Sequence, residues 1–330
     1  MRIAIYGLGA IGGHMAGRLA RGGAQVSVVA RGAMLDAVRA AGAIRIETAD
    51  GPFTAPIAVA SDDPADLGPQ DAVIVAVKAP ALPAIAPRIA PLLGPQTPVV
   101  VAMNGIPWWY FHGLDAGRRV KEVDPDGVVW DAIGPARAVG CVVYSACEVT
   151  APGTVQVVNP NSRFILGEPD GALSDRARAV ADALVAGGVG AEVTADIRAA
   201  TWAKLLNNLA SGPIAVLTNS ILADALTEPA LQTAARAILG EGAAIARALG
   251  VTVEVDADRA IAHAIRLHHR PSILQDLLLG RAMEIDGIYT APLAMAREAG
   301  VKTPVLDLLV ALTIARAREA GLYPKAAPTG

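Results

Sequence analysis

The chain has 330 residues, 53% of them hydrophobic, with a mean hydropathy of +0.43 and a formal net charge of −3. This length is enough for two domains, and the lack of a basic block argues against a nucleic-acid partner. Gly, Arg, Pro or Asp breaks every long apolar run, so we expect no membrane span. The chain has two isolated cysteines, Cys141 and Cys147, which favour a location in the reducing cytoplasm. Their number and spacing predict neither a disulfide framework nor a metal site.

The chain opens with a strand, a glycine turn and a helix. Residues 2–6 have the pattern of a buried strand, and residues 10–21 have the composition of a helix. Between them Gly7, Gly9 and Gly12 follow the spacing G-x-G-x-x-G, which is typical of a pyrophosphate cradle. Cleavage of a signal peptide would destroy this site, so we do not expect one. We predict dinucleotide binding by the backbone of Gly7, Leu8, Gly9, Ala10, Ile11 and Gly12; the alternative is a glycine turn with a structural role only.

The end of the second predicted strand, residues 24–30, bears on the choice of cofactor. An NAD-binding fold usually has an acidic residue there to hold the ribose 2′-hydroxyl. This chain has Ala30 and then Arg31, and a guanidinium suits a 2′-phosphate. We therefore expect NADPH; the alternative is an arginine that starts a helix and binds no ligand.

Further strand signals follow along the first half. Residues 44–47 alternate before Asp50 and Gly51, which predicts a hairpin or a pair of edge strands with a tight turn. Residues 71–77 and 98–103 are β-branched runs typical of buried parallel strands. Lys78 and Asn104 follow these two runs. Ligands of doubly wound sheets lie at the carboxyl ends of the strands, so both are candidates for the cofactor cleft. Ordinary turn chemistry is the alternative for each.

The segment IPWWYF at residues 106–111 concentrates four of the twelve Phe, Trp and Tyr residues, Trp108 to Phe111. One interpretation is a wall or lid of the substrate pocket, and the other is a hydrophobic anchor for a long loop. The sequence does not decide between them. The remainder up to Arg137 is rich in Gly, Pro and Asp, which predicts irregular structure.

Residues 138–144, 153–158 and 163–166 predict strands, and their short spacing suggests an antiparallel meander. A helix over 173–187 and a last strand over 191–194 precede a pattern that is helical almost throughout, with glycine stops at Gly250 and Gly300. We therefore predict an α/β fold. A Rossmann-type doubly wound sheet occupies residues 1–195, and an all-helical domain over 196–330 shares a substrate cleft with it.

The first helix of the second half contains Lys204 and Asn208, which are four residues apart and share a face. A lysine on a largely apolar helix needs a partner, and burial near a cofactor could make it a proton donor. From spacing alone, a solvated lysine is the simpler interpretation. Asp276 or Glu284, in the polar stretch 271–286, could supply its counter-charge. The five histidines have no ligand spacing and are interpreted as structural or surface residues.

The chain resembles the ketopantoate reductase (2-dehydropantoate 2-reductase) family over nearly its whole length. The resemblance rests on GLGAIG at 7–12, VAVKA at 75–79, MNGI at 103–106, WAKLLNN at 202–208, PSILQD at 271–276 and GRAMEID at 280–286. It implies NADPH-dependent reduction of a 2-oxo acid in pantothenate biosynthesis, by a Rossmann domain followed by a helical one.

The resemblance also implies roles for single residues. Lys204 corresponds to the catalytic lysine, and Glu284 to a glutamate close to both lysine and cofactor. The substrate would then be held by Asn104, Lys204, Asn208 and Ser272, and the cofactor cleft would include Lys78, Asn104 and Glu284.

Three departures from the family pattern concern the substrate. Gly212 stands before Pro213 where an asparagine is usual, and Met103 replaces a common glutamine. The aromatic segment at 106–111 and the long loop after it are found in only part of the family. We keep three alternatives to ketopantoate reduction: the same chemistry on another 2-oxo acid, a β-hydroxyacid dehydrogenase, and a non-catalytic NADPH-binding sensor. The β-hydroxyacid type is disfavoured because its glycine-rich substrate motif is missing. The expected partner is a small-molecule 2-oxo acid, and a homodimer is kept as an option.

Overall fold

A computed structural model describes residues 1–266 and 268–324. It divides into two compact units. The first comprises Met1–Met103 and Pro107–Ile197, and the second comprises Asn104–Ile106 together with the chain from Arg198 onwards.

The first unit is built on an eight-stranded sheet in the order β12-β11-β8-β7-β6-β1-β2-β5. All neighbouring strands are parallel except β8 and β11. The order reverses at β1, where β2 lies on one side and β6 on the other, which is the arrangement of a doubly wound dinucleotide-binding sheet. The strands are β1 (Arg2–Tyr6), β2 (Gln25–Val29), β5 (Val59–Ser61), β6 (Ala72–Val75), β7 (Val99–Val101), β8 (Ala138–Tyr144), β11 (Arg163–Gly167) and β12 (Gly190–Val193).

A smaller four-stranded sheet has the order β4-β3-β10-β9. Its first pair is the predicted hairpin, β3 and β4, which is antiparallel. The predicted antiparallel meander is wrong, because the chain leaves the large sheet after β8, forms β9 and β10 in the small sheet, and returns as β11. The strands are β3 (Ala43–Glu47), β4 (Phe53–Pro56), β9 (Cys147–Ala151) and β10 (Thr154–Val157).

Helix α1 (Ala10–Arg21) contacts β1 and β2 of the large sheet and also the small sheet. Its contact with the small sheet depends on glycines. A Cβ on Gly13 would lie 2.7 Å from Cγ2 of Val155, and one on Gly17 would overlap Ile46. The helix that carries the glycine turn is therefore held on two sides.

The other helices of this unit are short or peripheral. The segment before Arg137 was predicted to be irregular; the structure corrects this in part, because it contains a helix whose first residue follows Gly127. The helices are α2 (Gly32–Ala41), α3 (Leu82–Ile85), α4 (Val128–Ile133) and α5 (Asp175–Ala186).

A buried polar chain fixes α1 to the strands behind it. The side chain of His14 is fully buried; its Nδ1 lies 3.1 Å from Oγ of Ser145, and its Nε2 accepts a hydrogen bond of 3.3 Å from Nε of Arg18. Ser145 Oγ lies in turn 3.1 Å from Oγ of Ser162. Burial lowers the pKa of His14 to about 4, and the charge of Arg18 acts in the same direction. The imidazole is therefore neutral at pH 7, with its proton on Nδ1.

This neutral histidine predicts a loss of stability in mild acid. Below the ordinary histidine pKa of 6.5, the unfolded chain takes up a proton that folded His14 does not bind. The free energy of unfolding therefore falls as the pH drops from about 6.5 towards 4, by about 3 kcal/mol from this residue alone. Urea unfolding at several pH values measures it, and His14→Gln, which does not titrate, is the control. Parallel pH profiles of the two proteins would contradict the prediction.

The second unit is helical: among its described residues there is no strand. The predicted glycine stops are confirmed, because Gly250 (φ 79°) and Gly300 (φ 67°) are left-handed at helix ends, and Pro304 begins the last helix. In residues 1–266 and 268–324, no helix is both long and apolar enough to cross a bilayer. The helices are α6 (Ile197–Thr218), α7 (Leu222–Ala225), α8 (Pro229–Ala248), α9 (Ala257–Ala264), α10 (Ser272–Leu278), α11 (Ala291–Glu298) and α12 (Pro304–Glu319).

Candidate active site

The glycine turn between β1 and α1 has three glycines with distinct roles. Gly7 is left-handed (φ 98°), and a Cβ there would lie 2.6 Å from Cγ1 of Val77. A Cβ on Gly12 would overlap the carbonyl oxygen of Gly7, so the helix packs against the turn. A Cβ on Gly9 would meet nothing within 4 Å. The first and third glycines close the turn, and the second leaves its backbone open to a ligand.

The start of α1 completes this cradle. Gly9 is the residue before the helix, and the first backbone bond runs from the N–H of Gly13 to the carbonyl of Gly9. The N–H groups of Ala10, Ile11 and Gly12 therefore have no acceptor within the helix, and such groups bind phosphate well. Leu8 is buried and holds the turn on the core.

At the carboxyl end of β2, Arg31 is exposed and precedes α2. The hydroxyl of Tyr6, the last residue of β1, is buried and has no hydrogen-bond partner among the described residues. Burial raises the pKa of Tyr6; the positive charges of Arg88 and Arg31 act against that rise, and the negative charge of Asp63 adds to it. The open glycine turn and the unsatisfied hydroxyl beside it fit a dinucleotide cofactor.

Two further predicted residues also follow strand ends. Lys78 comes after β6, is half-buried and precedes a short 3₁₀ turn, Ala79–Ala81. Asn104 comes after β7 and is half-buried, but it belongs to the second unit, unlike the strand before it.

Residues 104–106 are held in the second unit by a close backbone contact. Gly105 is left-handed (φ 88°), and a Cβ on it would overlap the backbone of Gly287. The N–H of Ile106 donates a hydrogen bond of 2.7 Å to the carbonyl of Gly287. The contact joins the Asn104 segment to a π-helical turn, Asp286–Thr290, which directly follows the Glu284 motif.

Helix α6 presents Lys204, Asn208 and Gly212 at successive turns of one face. Lys204 and Asn208 are half-buried, whereas Gly212 is buried. Beyond them Pro213 lies inside the helix, so one backbone hydrogen bond of α6 is missing there. The predicted sharing of a face by Lys204 and Asn208 agrees with the helix that the structure has.

Glu284 is 7% exposed and Asp276 is 3% exposed, so both acids proposed as counter-charges are buried. The turn after Glu284 is fixed by its neighbours: Tyr323 donates a hydrogen bond of 2.5 Å to Oδ1 of Asp286, and Thr290 donates one of 3.1 Å to the same oxygen. The C-terminal segment thus helps to hold the motif in place.

Ser272 differs from these residues. It is exposed at the first position of α10, and its side chain makes no hydrogen bond within the part of the chain that the structure describes. Asn104, Lys204, Asn208 and Glu284 are thus half-buried or buried in the same unit, and Ser272 lies in that unit at its surface.

The aromatic residues Trp108 to Phe111 are buried in the first unit. Trp108 and Trp109 are each 1% exposed, Trp108 packs edge-on against Trp130, and the ring of Trp109 lies 2.6 Å from the position of a Cβ on Gly140. Arg118 stacks over the ring of Phe111 at 3.7 Å. These contacts favour the anchor interpretation over a lid.

Sequence reasoning missed two tyrosines of these sites, Tyr6 and Tyr289. Tyr289 is fully buried, and its hydroxyl donates a hydrogen bond of 3.4 Å to the carbonyl of Asn208. Gly212 was the available signal, since the loss of a side chain next to a site implies that another group fills the space. Among the described residues there is no group of three His, Cys, Asp or Glu that could hold a metal ion.

Comparison with known proteins agrees with this architecture. The family model described as ketopantoate reductase PanE/ApbA matches residues 3–171, and its C-terminal counterpart matches residues 196–317. A 2-dehydropantoate 2-reductase from Mesorhizobium japonicum is 43% identical over 328 residues, which cover 98% of this chain and 100% of that protein.

Solved structures give the same result. A chain from Ralstonia solanacearum MolK2 whose crystal structure carries the family name is 38% identical, with a TM-score of 0.90 over 98% of this chain and 99% of that one. The crystal structure of 2-dehydropantoate 2-reductase from Methylococcus capsulatus is 26% identical, with a TM-score of 0.83 over 97% and 98%. With a sequence match over both units and a shared fold, the chain belongs to the ketopantoate reductase family.

Proposed function

We propose that this protein reduces 2-dehydropantoate to pantoate with NADPH. The observation that carries the proposal is the half-buried face of α6 with Lys204 and Asn208, in the same compact unit as Asn104 and the buried Glu284. The identity of 43% to the Mesorhizobium japonicum reductase supports this substrate over other 2-oxo acids.

The first unit would bind the cofactor. The backbone from Gly7 to Gly12 suits the pyrophosphate, and Arg31 suits the 2′-phosphate that distinguishes NADPH from NADH. Lys78, Asn104 and Glu284 are the further residues that we assign to the cofactor. When bound, NADPH supplies the hydride that the carbonyl carbon of the substrate accepts.

The second unit would activate and hold the 2-oxo acid. We assign to Lys204 the transfer of a proton to the keto oxygen as negative charge develops there, after which solvent returns a proton to its amine. We assign to buried Glu284 the orientation of the Lys204 amine. Asn104 and Asn208 orient the carbonyl and its substituents, and Ser272 at the surface would contact the carboxylate or hydroxyl of the substrate.

The proposal is tested by the loss of NADPH absorbance with 2-dehydropantoate and a panel of related 2-oxo acids. The highest kcat/KM with 2-dehydropantoate is expected. A higher value with another 2-oxo acid would reassign the substrate but keep the chemistry. Tight NADPH binding with no turnover of any 2-oxo acid would favour the sensor alternative.

Replacing Arg31 with alanine tests the choice of cofactor. We expect the KM for NADPH to rise about tenfold, because a charge-assisted hydrogen bond to phosphate is lost, while the KM for NADH stays the same. Steady-state kinetics with each cofactor measure this, and Arg31→Lys, which keeps the charge, should lose less. An equal change for both cofactors would show that Arg31 does not contact the 2′-phosphate.

The expected partners follow from this assignment. The substrate is a small 2-oxo acid, and the two isolated cysteines support a reducing compartment such as the cytoplasm. A homodimer stays a prediction, which light scattering of the purified protein measures.

A further inference from the structure

The face of α6 that carries Lys204 and Asn208 ends abruptly at Gly212. A Cβ at that position would overlap the hydroxyl oxygen of Tyr289 and lie 3.2 Å from both Cζ of Tyr289 and Cγ2 of Ile273. Tyr289 is fully buried, and its hydroxyl occupies the space that a side chain at position 212 would take. Half-buried positions at 204 and 208 are thus followed by a covered one, a single helical turn further on.

The phenol is held in place from two sides. Its hydroxyl donates a hydrogen bond of 3.4 Å to the carbonyl of Asn208. Its backbone is part of the π-helical turn Asp286–Thr290, in which the carbonyl of Gly287 accepts a hydrogen bond from the N–H of Ile106. Burial raises the pKa of Tyr289 far above its usual range, and the negative charge of Glu284 raises it further. The hydroxyl therefore stays protonated and remains a donor at all working pH values.

Gly212 and Tyr289 depend on each other. The asparagine that the family resemblance leads one to expect at position 212 would place its Cβ in the hydroxyl of Tyr289. Only glycine leaves room for this tyrosine, and only a bulky residue at 289 fills the space that glycine leaves.

We propose that Tyr289 is a specificity-determining residue, whose ring ends the substrate site one helical turn beyond Asn208 and restricts the enzyme to 2-oxo acids with a compact substituent. The inference rests on the proposed function. A substrate whose keto oxygen is at Lys204 and whose polar groups are at Asn208 would extend along the same face towards position 212. The four residues from position 208 to position 212 advance about 6 Å along the helix, which is the length of a few carbon–carbon bonds. The phenol of Tyr289 lies at the end of that distance, where a side chain at position 212 would be.

The test compares 2-dehydropantoate with 2-oxohexanoate and phenylpyruvate, which carry longer substituents. In Tyr289→Leu we expect the ratio of kcat/KM for the long substrates to that for 2-dehydropantoate to rise at least tenfold, mainly through KM. Tyr289→Phe keeps the ring and should keep the wild-type ratio. Phe164→Leu, which shortens a fully buried aromatic side chain of β11, is the matched control for loosened packing and should also keep it.

A second measurement tests the contact itself. Gly212→Ala should lower the urea midpoint of unfolding, and Tyr289→Phe in the same chain should restore most of that loss, because the overlapping oxygen is removed and the nearest ring carbon lies at 3.2 Å. If Gly212→Ala and the double variant Gly212→Ala/Tyr289→Phe unfolded at the same urea concentration, the contact between position 212 and the Tyr289 hydroxyl would be contradicted.

The outcomes distinguish a failure of the role of Tyr289 from a failure of the proposed function. A wild-type protein that reduces 2-dehydropantoate while Tyr289→Leu folds and keeps the substrate ranking would overturn the role of Tyr289 and leave the proposed function standing. A wild-type protein that reduces no 2-oxo acid would overturn both.

Discussion

Replacement of Lys204 by alanine will lower kcat for 2-dehydropantoate by about two to four orders of magnitude, which is the usual range for loss of a positioned general acid. The remaining α6 face keeps Asn208, so the substrate still binds but its keto oxygen has no proton donor. The dissociation constant of NADPH should barely change, because the glycine turn and Arg31 belong to the other compact unit. Single-turnover kinetics and NADPH fluorescence titration measure the two quantities separately.

Lys302 offers a matched control. It is an exposed lysine of the same unit, so Lys302→Ala removes the same charge without touching α6. Its kcat should equal that of the wild-type protein. If Lys204→Ala also retained wild-type kcat, Lys204 would not be the proton donor, and the buried acids would have to be considered in its place.

Replacement of Gly105 by alanine is expected to be the most destabilising of the substitutions considered. A non-glycine residue at φ 88° is strained by about 1–2 kcal/mol, and the new Cβ would also overlap the backbone of Gly287, which cannot rotate away as a side chain can. Together we expect a loss of about 3–5 kcal/mol in the free energy of unfolding. Any folded fraction should also show a raised KM for the 2-oxo acid, because Asn104 moves with its neighbour.

Gly117 separates the two contributions. It has almost the same backbone conformation (φ 85°), but a Cβ there meets nothing within 4 Å. Gly117→Ala therefore reports the conformational strain alone, by about 1–2 kcal/mol in urea unfolding. Equal losses for the two variants would mean that the close approach of Gly105 to Gly287 does not exist in solution.

The parts of the fold that local signals encode could be predicted. The glycine turn, the hairpin of β3 and β4, and the glycine stops at Gly250 and Gly300 each depend on neighbouring residues, and the structure has all of them. The antiparallel meander was wrong because β10 pairs with β3, which lies more than a hundred residues earlier. Strand pairing over such a separation has no local sequence signature.

In the candidate site, too, local signals could be predicted from the sequence and long-range contacts could not. Helical periodicity was enough to put Lys204 and Asn208 on one face, but not to distinguish a catalytic lysine from a solvated one. The catalytic role of Lys204 is a prediction that comes from the family motifs. The placement of Asn104 with the helical unit depends on a backbone contact between Gly105 and Gly287. Tyr289 could not be assigned, because only coordinates reveal what fills the space beside Gly212.

The excursion of residues 104–106 into the helical unit bears on how such proteins can be recombined. The obvious point for a chimaera lies between Ile197 and Arg198, where the pattern becomes helical. A crossover there would transfer the helices with Gly287, but Ile106, whose N–H donates to the Gly287 carbonyl, would not be transferred with them. A functional hybrid therefore requires a recipient that has glycine at position 105 and a residue other than proline at position 106, so that this backbone contact can form again.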